Sequence, residues 1–304
     1  MPELPEVETI RRQLEPELRG RRIESAEVLD ERWTRPVPPA DVEHALAGRR
    51  IEQVERRGKY LVLRLEGGRS LAMHLRMTGN LLLDEGSAAP RHLRAVIRLE
   101  GGGRLLFTDA RRFGQAVILE GDDLDDYFAA RLGVEPLSEA LTAEELCRLA
   151  AGRRAPLKSF LLNQSRIAGI GNIYADEALH RAALHPLSPA GSMKPEDCER
   201  LREGIVATLQ AGLRSGGASV DDYLDARGER GSMQDELLVW GARASRARAA
   251  AARSGGSSSP AGRPTSAHRA SVACAAGPGG PRVAGLSRDR RDPTAGGIPD
   301  RPLD

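Results

Sequence analysis

A chain of 304 residues, 40% hydrophobic and 29% charged, can hold two ordinary cores. Nothing in it approaches the ~18 consecutive apolar residues of a membrane helix, so membrane-spanning classes are set aside and a soluble, cytoplasmic protein is expected. The net charge of +2 hides a split: residues 1–240 carry 34 Lys and Arg against 39 Asp and Glu, whereas 241–304 carry 11 against 4, so binding to a polyanion must rest on local arginine placement. Cys147, Cys198 and Cys274 are far apart and fit neither a disulfide framework nor a metal cluster, so they read as incidental thiols.

The chain opens Met1-Pro2-Glu3-Leu4-Pro5-Glu6. A small residue at position 2 normally permits removal of the initiator Met, which would leave a proline amine. That secondary amine can attack the C1′ of a deoxyribose and give an iminium, an electron sink like a lysine Schiff base. Since α-amino groups titrate near pH 7.7–8.0, modest tuning frees the nucleophile. Glu3 beside it is a ready proton carrier, and Glu6 is placed to support it. The prolines equally suit the first turn of a helix, and Val7, Ile10, Leu14 and Leu18 predict one running to Gly20.

To about residue 120, short apolar or alternating runs predict strands at Ile23–Leu29, Tyr60–Leu65, Leu71–Leu75, Leu81–Leu83, Ala95–Leu99, Leu105–Phe107 and Ala116–Leu119, with one helix near Ala40–Leu46. Glycine pairs and triplets punctuate them, the pattern of an antiparallel sandwich. From Asp122 the period turns helical: Asp122–Arg131, Thr142–Ala150 with a Thr142/Glu145 capping box, Pro156–Leu162, Asn172–Arg181 and Pro195–Leu213. Residues 241–304 contain no Phe, Trp or Tyr and are expected to be disordered. The fold class is therefore α+β, with an N-terminal helix and β-sandwich over 1–132, helices over 133–240, and a low-complexity tail over 241–304.

Four stretches carry chemistry. Arg57-Gly58-Lys59-Tyr60 puts a lysine after a turn glycine. His74-Leu75-Arg76-Met77-Thr78-Gly79 and Asp109-Ala110-Arg111-Arg112-Phe113-Gly114 place Met77 and Phe113, apolar wedges suited to parting base steps, near Arg111, which can donate to a base edge. In Gln164 to Glu177, glycines precede Asn172, which opens a helix whose free N–H groups suit a phosphate.

PELPEVETIRRQLEP, RRGKYL, HLRMTG, DARRFG and GIGNIYADE together resemble the bacterial formamidopyrimidine-DNA glycosylases, in order and to about Trp240. The resemblance implies a bifunctional DNA glycosylase and AP lyase acting on oxidised purines in duplex DNA, a monomer needing no cofactor for its chemistry. It implies Pro2 as nucleophile, Glu3 as acid, Glu6 in support and Lys59 in the elimination. Met77, Arg111 and Phe113 would fill the gap left by an everted nucleotide, with His74 beside them, and His92, Arg153 and Asn172 would contact the backbone. Lys158 would face the lesion pocket, Asn172 would open a helix-two-turn-helix hairpin, and Gly216 to Met233 would form a lid. The related endonuclease VIII group, which prefers oxidised pyrimidines, usually has Gly where Leu4 stands, and an inactive lesion-binding remnant is a third possibility.

The resemblance breaks at the C-terminus. The family ends in a four-cysteine zinc finger, and here Cys274 stands alone. Read from the third base of codon 242, permitted codons for Ala242–Ser254 can encode EGEPCPRCGGAI, and those for Arg263–Ser271 can encode THFCPxCQ in the same frame. Those are two finger knuckles with roughly 16 residues between the cysteine pairs, which points to a frameshift near codons 237–242.

Overall fold

The computed structural model describes residues 1–86, 88–220 and 222–240. The expected tail disorder and the alternative-frame knuckles lie outside the described residues.

The first helix, α1 (Leu4–Leu18), begins at an extended Glu3 and buries Leu4, Val7, Ile10, Leu14 and Leu18. The predicted periodicity is its buried stripe, but the stripe serves two cores. Val7 to Leu18 pack into the sandwich with Ile51, Leu63, Leu71, Ile97 and Phe107. Leu4, one turn earlier, belongs to a second core with Leu157, Phe160, Ile170, Tyr174 and Leu209.

The sandwich is two four-stranded antiparallel sheets. One is ordered β1 (Ile23–Val28), β6 (Leu93–Leu99), β7 (Arg104–Asp109), β5 (Gly79–Asp84); the other β2 (Ile51–Arg57), β3 (Tyr60–Leu65), β4 (Arg69–His74), β8 (Gln115–Glu120). A short helix, α2 (Pro39–Leu46), packs on β1. Sequence reasoning missed β2. Only Ile51 and Val54 of that strand are fully buried, and a register shift between Ile51 and Gln53 breaks the alternation.

Register places the chemistry-bearing turns at one end. Arg57 pairs with Tyr60, Tyr60 with His74 and His74 with Gln115, so the Gly58-Lys59 turn, the turn after His74 and the loop before Gln115 emerge together. Gly79 pairs with Asp109, and the Asp109 N–H donates to the His92 carbonyl at 3.0 Å, which brings a third loop to the same end.

The helical part comprises α3 (Asp123–Ala129), α4 (Ala143–Ala150), α5 (Leu157–Leu162), α6 (Asn172–Arg181) and α7 (Pro195–Arg214). The Thr142 hydroxyl accepts from the Glu145 N–H at 3.1 Å and caps α4, one of the two bonds of the expected capping box. Cys147 on α4 and Cys198 on α7 form a disulfide, which corrects their reading as incidental thiols. The packing of α4 on α7 brings together two thiols 51 residues apart.

Candidate active site and nucleic-acid interface

The start of α1 is locked to the start of α6 by hydrogen bonds and close packing. Glu3 is 1% exposed, and its two carboxylate oxygens accept from the N–H groups of Gly171 at 2.7 Å and Ile173 at 3.0 Å. The Leu4 N–H donates to the Gly169 carbonyl at 3.0 Å. Glycine is required at position 171 by this approach: a Cβ there would lie 2.2 Å from Glu3 Cδ. The N–H groups expected to hold a phosphate are thus occupied by the chain's own carboxylate, in the electrostatic position any anion would take. Asn172 itself is exposed, so its side chain remains available to a ligand.

Glu6 is the hub of a second buried set. It accepts from the Glu3 N–H at 2.8 Å, from the Tyr174 hydroxyl at 2.7 Å and from the Ala218 N–H at 2.7 Å. The expected lid segment is therefore fastened at its beginning to the α1 carboxylate. Tyr174 and Ala218 were not singled out from the sequence; the tyrosine lies inside GIGNIYADE, but only the fold reveals what its hydroxyl touches.

Burial decides the charge states. The Glu3 carboxyl is pushed up to about 7 by loss of water, with Lys59 and the α6 N–H groups pulling it down and Glu6 pushing it up. Burial also raises Glu6, against the hydrogen bonds from Ala218 and Tyr174. Lys59, 5% exposed at the hairpin tip, is lowered by the same desolvation and sustained by the fields of Glu3 and Glu6. Pro2 is buried beside Glu3 in the chain. An acid that holds or releases a proton near neutrality, a lysine biased toward the free amine and a proline that removal of Met1 would make terminal are parts suited to an imine-forming lyase.

At the loop end of the sandwich, Met77 is 38% and Phe113 51% exposed, although both are large and apolar. The Arg111 guanidinium lies over the Phe113 ring at 4.9 Å. His92 is exposed with φ 61°, and Arg76 and Arg112 share the left-handed conformation at 57° and 60°. Such backbone persists in non-glycine residues only where surroundings enforce it.

His74, Lys158 and Arg153 have hydrogen-bond partners within the chain. His74 is 8% exposed, packs edge-on against Tyr60, and its Nδ1 accepts from the Arg76 N–H at 2.9 Å. Burial, with Arg76 and Lys59 nearby, holds it down at about 3, so it is neutral and shapes the turn from inside. Lys158 donates to Asp176 at 2.9 Å, and the same carboxylate accepts from the Trp240 indole at 3.1 Å. Arg153 is half-buried, its Nε donating to the Leu149 carbonyl at 2.7 Å.

The model of the formamidopyrimidine-DNA glycosylase N-terminal domain matches residues 1–116, and that of the formamidopyrimidine-DNA glycosylase H2TH domain matches 132–223. The formamidopyrimidine-DNA glycosylase of Moorella thermoacetica is 45% identical over 244 residues, 79% of this chain and 89% of its own. That of Roseiflexus sp. is 44% identical over 244 residues, with 79% and 88% covered. Among solved structures, Lactococcus lactis Fpg bound to abasic-site DNA matches with a TM-score of 0.74 and 32% identity over 79% of this chain and 88% of that one. The MutM (Fpg) protein of Thermus thermophilus matches at 0.71 and 40% identity, over 79% and 87%.

Proposed function

The chain belongs to the formamidopyrimidine-DNA glycosylase family and is a lesion-binding DNA glycosylase and AP lyase of base-excision repair, and from that premise we propose how its own residues divide the work. The substrate is an oxidised purine, 8-oxoguanine or a formamidopyrimidine, in duplex DNA. With Met1 removed, the Pro2 nitrogen bonds to C1′ as the glycosidic bond breaks and its electron pair leaves with the base. Glu3 supplies the proton that this departure needs, and the C1′–O4′ bond then opens as the Pro2 N–H proton passes to O4′, leaving an iminium between Pro2 and C1′. The iminium acidifies the C2′ proton; its removal breaks the C3′–O3′ bond in β-elimination, and δ-elimination follows at C5′. Lys59 serves these proton transfers, and Glu6 fixes Glu3 through its backbone N–H. The observation that carries the reading is the buried Glu3, held near pKa 7 beside Pro2 between Lys59 and the N-terminus of α6.

We assign the catalytic domain to residues 1–132 and the DNA-binding helical domain to 133–240, in keeping with the two separate cores. Met77, Arg111 and Phe113 occupy the gap left by the everted nucleotide, and His92, Arg153 and Asn172 contact backbone phosphates. Lys158, paired with Asp176 at 2.9 Å, faces the lesion pocket in this reading.

The family's structural zinc does not fit the residues present. Cys147 and Cys198 are bonded to each other, Cys274 lies outside the described residues, and no group of potential ligands occurs among the described residues. The chain as written is therefore expected to bind lesions more weakly than a frame-restored one and to stall after the first strand cut.

The test is borohydride trapping on an 8-oxoguanine:cytosine duplex, with Pro2→Gly and a frame-restored chain alongside. A covalent adduct from the unaltered chain that Pro2→Gly abolishes supports the assignment. Equal trapping by Pro2→Gly would refute it, and trapping by the frame-restored chain alone would make this polypeptide an inactive remnant.

A further inference from the structure

The two turns that carry Met77 and the Arg111–Phe113 pair are clasped together by one buried carboxylate. Asp109 is 1% exposed. Its Oδ1 accepts from the Thr78 hydroxyl and from the Arg111 N–H at 3.1 Å, and its Oδ2 accepts from the Gly114 N–H at 2.7 Å. The Arg111 N–H is shared with the Thr78 hydroxyl oxygen, also at 3.1 Å. The backbone of Asp109 reaches the third loop, donating to the His92 carbonyl at 3.0 Å and accepting from Arg94 Nε at 2.9 Å. A second acid, Asp30, grips the Arg112 guanidinium between the two exposed residues, with Arg112 held at φ 60°.

The chemistry of this arrangement is positional. Met77 and Phe113 are large apolar groups exposed to water, Phe113 lies under the Arg111 guanidinium, and the backbone of both turns is held by what is bonded on either side. Thr78 follows Met77, while Asp109 and Gly114 bracket Arg111 and Phe113, so one hydroxyl and one carboxylate fix the spacing between the two wedges. Side chains that must enter a base stack together gain from being ordered in advance, because the ordering entropy is then not charged to the binding step.

We propose that Thr78 and Asp109 are positioning residues for nucleotide eversion, joining the Met77 turn and the Arg111–Phe113 loop into one rigid probe. The proposal rests on the assignment of Met77, Arg111 and Phe113 to the vacated space. It assigns to the Thr78 hydroxyl a role in opening the duplex and none in the chemistry at C1′.

The experiment uses the full chain and a duplex with 2-aminopurine beside 8-oxoguanine, whose fluorescence rises on unstacking. Thr78→Val keeps the shape of the side chain and deletes the hydroxyl; Thr78→Ser keeps the hydroxyl. The unstacking rate of Thr78→Val should fall about tenfold, the scale of one lost hydrogen bond to a charged acceptor. Thr78→Ser should unstack like the parent, and trapping on a preformed abasic site should stay within about threefold for both. A Thr78→Val variant that unstacks at the parent rate, or that loses abasic-site trapping in equal proportion, overturns the proposal. Phe113→Ala separates the two levels. If it unstacks normally, the underlying wedge assignment fails; if it is slow while Thr78→Val is not, the clasp alone fails.

Discussion

Replacing Glu3 by Gln removes a buried acid that the fold lifts from 4.5 to about 7. A folded-state value above the unfolded one means that the fold favours the protonated form. The stabilisation is then complete below pH 4.5 and is lost as pH rises through about 7. At 1.36 kcal/mol per pH unit this amounts to roughly 3 kcal/mol, a large share of a typical domain's 5–15. Gln does not titrate, so the variant lacks this slope. It also offers one acceptor where Glu3 uses both oxygens, against Gly171 and Ile173, an offset of about 1–3 kcal/mol that does not vary with pH. The quantity to measure is therefore the stability of the variant minus that of the parent, by urea unfolding at stepped pH. It should climb by roughly 3 kcal/mol between pH 4.5 and 7 and then level off. A difference that stays flat, or falls as pH rises, would refute the placement of a strained acid at position 3. In the same variant, excision of 8-oxoguanine should collapse while trapping on a preformed abasic site survives, since no base has to leave there.

Gly171→Ala forces a Cβ to within 2.2 Å of Glu3 Cδ, so excision should fall by at least tenfold with DNA affinity nearly kept; single-turnover rates and a binding titration separate the two. Tyr174→Phe strips one of three hydrogen bonds from Glu6, which should cost about 1–3 kcal/mol of stability in urea unfolding; an unchanged stability would contradict the role of the Tyr174 hydroxyl in holding Glu6. Reducing the Cys147–Cys198 disulfide frees a loop of 51 residues, worth about 4 kcal/mol in chain entropy. Thermal melts with reductant, and of Cys147→Ser, should drop by about 10 °C, and an unchanged melt would mean that the bond contributes nothing.

The alternating strands and the 3.6-residue stripes were legible because each is a burial pattern written in local order. Strand β2 was not, because Glu52, Gln53, Glu55, Arg56 and Arg57 leave few apolar positions to carry the alternation. Arg56 has partners only the fold supplies: Glu8 of α1 at 3.2 Å and Glu135 at 3.0 Å, with Glu135 also accepting from the Gly58 N–H at 2.6 Å. The same holds for the disulfide, and for the occupant of the α6 N-terminus. GIGNIYADE announced a helix start that binds an anion, and the anion is a carboxylate some 170 residues earlier in the chain. Sequence reveals which groups seek partners; folding determines which partners reach them.

That last pairing explains why the proposed nucleophile, acid and support, Pro2, Glu3 and Glu6, fall within five consecutive positions. Leu4 is buried in the helical core and Val7 in the sandwich core, so the turn between them is the seam of the molecule. Two influences lower the Glu3 carboxyl against the desolvation that raises it: the charge of Lys59, carried by the β2–β3 hairpin, and the N–H groups of α6. One comes from each side of the seam. The Glu3 carboxyl is therefore tuned by elements of both cores at once, with burial the largest influence and raising it. A proline made terminal by the proposed removal of Met1 suits such a place, since a chain end can enter a seam where a side chain would need its own backbone to follow.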